Sequence, residues 1–98
     1  MARQKLSECD LAAAVEKLPG WTIKNEKLHR EYKFPDFTHA FGFMAMAAVY
    51  IEKMNHHPEW SNVYGRVSVD LTTHDSGGIT ENDVKLAGLL EEIAQKLT

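Results

Sequence analysis

The chain has 98 residues, enough for one domain, with 44% hydrophobic and 26% charged residues and a formal net charge of −3. That balance supplies no basic face of the kind nucleic-acid binding needs. The single cysteine, Cys9, excludes an intrachain disulfide and fits a reducing, cytoplasmic setting; its acidic neighbours Glu8 and Asp10 do not favour a reactive thiolate.

Met1 to Asp10 contain no apolar stretch like a secretory signal, and the longest apolar run, Ala40 to Ile51, is far short of the roughly 20 residues of a membrane helix. Ser7 followed by Asp10 predicts the start of a helix, whose Leu11, Ala14, Val15 and Leu18 recur at helical spacing until Pro19-Gly20 ends it. Trp21 to Ile23 and Leu28 to Phe34 read as two strands joined by the polar link Lys24 to Lys27. In the second strand Leu28, Tyr32 and Phe34 share a face on which Arg30 is the exception, and His29, Glu31 and Lys33 share the other.

Asp36 is the expected N-cap of a helix reaching about Asn55, because Pro58 disfavours helical geometry at His57. Phe37, Ala40, Phe41, Met44, Ala48 and Val49 make one apolar stripe, yet Phe43, Met46, Ala47 and Tyr50 off that stripe are apolar too. A helix apolar nearly all round is normally covered on both sides. The expectation is that it packs on its own sheet and on a second subunit. Glu59 to Tyr64 and Arg66 to His74 read as another strand pair around Gly65, with Val67, Val69 and Leu71 facing one way. After the Asp75 to Gly78 loop, Thr80 with Asp83 forms a capping-box signature for a last helix, with Leu86, Leu89, Leu90, Ile93 and Leu97 as its buried stripe. The order helix, two strands, helix, two strands, helix is that of an α+β domain spanning 1–98, with an antiparallel sheet and its helices on one face.

No phosphate loop, zinc pattern or nucleophile elbow is present. The chemistry-bearing feature is the pair His56-His57 where a proline is about to break a helix. Three roles fit such a pair: capping free carbonyls, acid/base or ligand-binding work, and metal ligation with His74 as third ligand. His74 stands at a strand end before a Gly-rich loop, where sites are often built. Glu52, one turn before His56, fits an i, i+4 partner for that ring or a surface acid. Asp83 fits the third position of its capping box, and Trp21 and Trp60 fit core or groove-lining aromatics.

Taken together, Glu52, three residues, His56-His57-Pro58, five residues, Tyr64, nine residues, His74, eight residues and Asp83 resemble the signature of the pterin-4a-carbinolamine dehydratases. The same resemblance extends to His56-His57-Pro58-Glu59-Trp60 with Asn62-Val63-Tyr64, to Phe37 with Ala40 to Met44, and to Thr72-Thr73-His74, and it runs from about Trp21 to the C-terminus. It implies a four-stranded antiparallel sheet with three helices on one side. It also implies a homodimer or homotetramer built on the central helix, about residues 37–55, and removal of water from a 4a-hydroxytetrahydropterin in tetrahydrobiopterin recycling.

By the same resemblance His56, His57 and His74 are the catalytic trio, with His56 and His74 the acid/base pair and His57 chiefly orienting the substrate. Asn55, His56, His57 and Pro58, together with Thr72, Thr73, His74 and Asp75, would contact the pterin. Glu52 and Asp83 would support the rings, and no metal or redox cofactor is implied. Asn55 departs from the Asp of several relatives. Some animal members also serve as dimerisation cofactors of a transcription factor, with a nuclear pool, and a relative acting on another pterin is the third possibility.

Overall fold

The computed structural model describes residues 4–97. Its elements are α1 (Glu8–Glu16), β1 (Thr22–Lys24), β2 (Lys27–Lys33), α2 (Phe37–Met54), β3 (Glu59–Val63), β4 (Arg66–Leu71), a 3-10 turn at His74–Ser76, and α3 (Glu81–Gln95). Met1 to Arg3 and Thr98, at the two ends of the expected domain, lie outside the described residues. The four strands form one antiparallel sheet in the order β1-β2-β4-β3, so the two hairpins meet along β2 and β4, where Leu28 pairs with Leu71 and Tyr32 with Val67.

The hairpins follow from local chemistry. In the first, Lys24 pairs with Lys27, and the two intervening residues, Asn25 and Glu26, have φ of 53° and 62°. Two positive φ angles are the mark of a primed turn, whose twist matches that of the strands it joins. In the second, Tyr64 (φ 53°) and Gly65 link Val63 to Arg66. Gly65 is needed for close approach, since a β-carbon there would lie 2.7 Å from the Phe34 carbonyl oxygen.

Alternation along the strands puts Leu28, Tyr32, Phe34, Val67, Val69 and Leu71 on a buried face under α2 and α3. The opposite face carries His29, Ser68 and Asp70 of the two central strands. Arg30, the polar intruder on the inner face, lies over the Tyr32 ring at 4.6 Å, with Nε 3.4 Å from Glu91 Oε1. That oxygen of Glu91 also accepts from Trp21 Nε1 at 2.9 Å and Tyr32 Oη at 2.7 Å. Burial and the neighbouring Glu91 carboxylate push the Tyr32 phenol far above its ordinary range.

The helices begin as their caps foretell. Ser7 Oγ accepts from Asp10 N–H, Asp36 Oδ1 from His39 N–H, and Thr80 and Asp83 close a full capping box. Three expectations need correction. β1 starts one residue later, at Thr22, because Trp21 N–H is spent on the Leu18 carbonyl. β3 stops at Val63, before the left-handed Tyr64, and β4 stops at Leu71, so His74 sits in the 3-10 turn and not on a strand. Finally, the stripe of α2 that enters the core is Ala40, Phe43, Ala47 and Ile51, whereas Phe37, Phe41 and Val49 of the expected stripe are exposed. Both faces are apolar, and periodicity alone does not tell which one meets the sheet.

Candidate active site

The site is built where α2 ends, β4 ends and α3 begins. Asn55 stops α2 in the left-handed conformation, φ 52° and ψ 43°. Its N–H donates to the Glu52 carbonyl and that of His56 to the Ile51 carbonyl, the double bond of a Schellman ending. Asn is among the few side chains that adopt this conformation at small cost. The chain reverses there, and the two histidines leave the helix in different directions.

His56 turns inward. Its Nε2 donates to Asp83 Oδ1 at 2.5 Å, with only 12% of the His56 side chain exposed and none of Asp83. The other oxygen of Asp83 accepts from Thr80 N–H at 2.9 Å and from Thr73 Oγ1 at 2.8 Å. One carboxylate therefore caps α3, ties down the end of β4 and holds the His56 ring. Capping and ring support, which the sequence offered as separate readings, coincide in Asp83.

His57 turns outward, and its Nε2 donates to Glu52 Oε1 at 2.7 Å. Glu52 is thus the partner of His57 and not, as i, i+4 spacing suggested, of His56. The i, i+4 rule assumes a continuing helix, and the left-handed residue at 55 ends it one residue before His56. His74, on the 3-10 turn, donates from Nε2 to Glu59 Oε2 at 3.0 Å, and Glu59 Oε1 accepts from Lys27 Nζ at 2.6 Å. The Lys27 ammonium, helped by His74, holds the Glu59 carboxyl below the usual range, and Glu59 in turn raises Lys27.

Asn55, His56 and His57 face Thr72, Thr73, His74 and Asp75 across one concavity of about 290 Å³, close to the roughly 300 Å³ at which small-molecule pockets begin. Two segments separated by 14 residues in sequence, 55–57 and 72–75, thus form its two walls. Pro58 does not line it, and Tyr64 lies exposed at the β3–β4 turn, where Asn62 Nδ2 donates to its carbonyl.

Sequence reasoning gave no role to Glu59 or Lys27. The available signal was alternation in two strands: Glu59 pairs with Asp70 and Asp70 with His29, which places these groups on the same outer face. Among the described residues no group of three or more His, Cys, Asp or Glu could hold a metal ion, and no helix is long and apolar enough to cross a membrane.

Comparison with known proteins agrees with this architecture. Residues 4–93 match the family model described as pterin 4 alpha carbinolamine dehydratase. A relative from Solibacter usitatus (strain Ellin6076), carrying the name of that enzyme, is 59% identical over 90 residues, 92% of this chain and 95% of its own length. One of the same name from Brucella ovis is 49% identical over 96 residues, 96% of this chain and 99% of its own. The crystal structure of a transcriptional coactivator/pterin dehydratase from Brucella melitensis superposes with a TM-score of 0.91 at 47% identity, covering 93% of this chain and 99% of that one. With residues 4–93 of its 98 matched by the family model and the same α-β-β-α-β-β-α order, the chain belongs to the pterin 4 alpha carbinolamine dehydratase family of hydro-lyases.

Proposed function

We infer that the protein dehydrates a 4a-hydroxytetrahydropterin to the quinonoid dihydropterin, by histidine acid/base catalysis, as a step of tetrahydrobiopterin recycling. The observation carrying this reading is that His56, His57 and His74 border one concavity and each has a carboxylate of its own. The reaction breaks the C4a–O bond, removes the proton from N5 and forms the C4a=N5 double bond, while water leaves. No electrons are exchanged with another molecule.

Hydroxide is a poor leaving group, so one imidazole must deliver a proton to it, and another must take the N5 proton. His56 and His74 are the acid/base pair in this reading. They stand on opposite walls, so one bound ring can meet both. His57, on the same wall as His56 but turned outward, orients the pterin. Asn55, Thr72, Thr73 and Asp75 supply the amide, hydroxyls and carboxylate that a flat, polar heterocycle needs at its edges. Asp83 and Glu59 accept from Nε2 of His56 and His74, which leaves Nδ1 of each ring for the substrate.

The test is formation of the quinonoid dihydropterin from 4a-hydroxytetrahydropterin with wild-type protein and with His56→Ala and His74→Ala. Each replacement should lower kcat by about 10²-fold or more, the usual size of an acid/base contribution. Turnover within a few-fold of wild type in either variant removes that histidine from the mechanism. The reading includes a homodimer or homotetramer assembled through the outward face of α2, where Phe37, Phe41, Met46, Val49 and Tyr50 are exposed side chains.

A further inference from the structure

Thr73 is partly buried between the two walls of the groove, and its side chain and main chain serve different histidines. The hydroxyl serves His56. Oγ1 donates to Asp83 Oδ2 at 2.8 Å, and Asp83 Oδ1 accepts from His56 Nε2. A hydroxyl has one hydrogen to give. With that of Thr73 spent on Asp83, the 2.8 Å bond between the Thr73 and Thr80 hydroxyls runs from Thr80 to Thr73. Thr80 and Asp83 are both fully buried. The chain Thr80 to Thr73 to Asp83 is therefore shielded where it meets the imidazole, and each bond polarises the next. One lone pair of Thr73 Oγ1 is left for the groove.

The main chain serves His74. Thr73 N–H donates to the Gly78 carbonyl at 2.9 Å, and the Thr73 carbonyl accepts from Ser76 N–H at 3.0 Å and from Gly78 N–H at 3.3 Å. Thr73 and Gly78 are thus the two feet of the 3-10 turn whose first residue is His74. The His74 side chain is 78% exposed and its partner Glu59 is exposed as well, so packing does not fix that ring. Its place depends on the backbone that carries it.

We propose that Thr73 is a positioning residue that fixes His56 and His74 relative to each other, holding Asp83 with its hydroxyl and the His74 turn with its backbone. The meaning of that spacing rests on the dehydratase reading, in which the two rings serve one bound pterin from opposite walls. A misplacement of about 1 Å can cost about 10²-fold in rate. Loss of the hydroxyl frees the end of β4 from α3, and the displacement reaches both rings at once.

The experiment compares Thr73→Val, which keeps the shape and loses the hydroxyl, with Thr73→Ser, which keeps the hydroxyl, and Thr73→Cys, a weaker donor of similar size. Imidazole signals are followed by NMR, and kcat and KM for 4a-hydroxytetrahydropterin are measured separately. Thr73→Val should displace the signals of His56 and His74 and leave that of His39, at the other end of α2. It should lower kcat by about tenfold or more while KM stays within about threefold. Thr73→Ser should restore both signals and bring kcat to within about twofold of wild type, with Thr73→Cys in between. If Thr73→Val does not fold, Thr73→Cys must show both displacements and Thr73→Ser neither. A displacement confined to His56, an unchanged kcat in the folded Val variant, or a raised KM with kcat intact overturns the proposal. If wild type does not dehydrate the pterin while both signals respond, the dehydratase reading falls and the coupling of the two rings through Thr73 stands.

Discussion

Asp83 shows how much one side chain can carry when it is buried at a junction. Its two oxygens serve the Thr80 N–H, the Thr73 hydroxyl and the His56 imidazole at once. Asp83→Ala should therefore lower both stability and turnover. The lost cap is worth about 1 kcal/mol and the stranded buried donors about 1–3 kcal/mol. At ~4–8 °C per kcal/mol for a domain of this size, thermal melting should move by roughly 10 °C or more. A melting curve unchanged within 2–3 °C would contradict the network.

Glu59 behaves differently because its carboxylate is open to solvent. Its carboxyl is depressed by Lys27 and His74, so the bridge is formed above the ordinary glutamate pKa and is lost as pH falls through the depressed value. A carbon-detected titration should place the Glu59 midpoint below that of a free glutamate, and Lys27→Met should raise it toward the ordinary range. An unmoved midpoint in that variant would show that the ammonium is not the cause. At this scale the sequence was half legible. The capping box could be read from spacing and the grouping of His56, His57 and His74 came from the family resemblance, but the partner of Glu52 could not be read, because the left-handed turn at Asn55 decides it. Glu59 and Lys27 meet only through the register of three strands, which no local pattern encodes.

Among the elements, α2 separates what periodicity tells from what it does not. Its ends were readable, from Asp36 at the start and from Pro58 beyond the stop. Its orientation was not, since the buried stripe Ala40-Phe43-Ala47-Ile51 and the exposed stripe through Phe37, Phe41 and Val49 are equally apolar. Mutation separates them. Phe43, fully buried against Tyr32 and Phe34 with ring centroids 5.0 and 5.1 Å away, should cost about 3–5 kcal/mol when changed to Ala. Phe41→Ser, on the exposed face, should leave the unfolding free energy of an isolated subunit within about 0.5 kcal/mol. Chemical denaturation at low protein concentration checks both. The hairpins were the most legible elements, because polar links and strand alternation are purely local. Only their exact ends, at Trp21, Tyr64 and Thr72, were set by backbone bonds and turn angles.

For the whole molecule, a 98-residue chain buries only about 60–65% of the surface its unfolded form exposes, and a row of exposed aromatic and aliphatic side chains on α2 compounds that shortage. Light scattering at micromolar concentration should report a dimer or tetramer, and Phe41→Glu/Val49→Glu should shift it to monomer. A wild-type monomer would remove the assembly. The fold class was legible from element order alone, because two hairpins separated by a helix leave few ways to join one antiparallel sheet. The order β1-β2-β4-β3 was not, since it depends on which strands of the two hairpins meet.

The helix that presents this apolar row is also the one whose last turn releases Asn55, His56 and His57 into the groove. Self-association stabilises whatever conformation it selects, by mass action. The proposed association through α2 would therefore act on the same rod that aims two imidazoles. Turnover per molecule should then decline on dilution below the dissociation constant, and the melting temperature should climb with protein concentration.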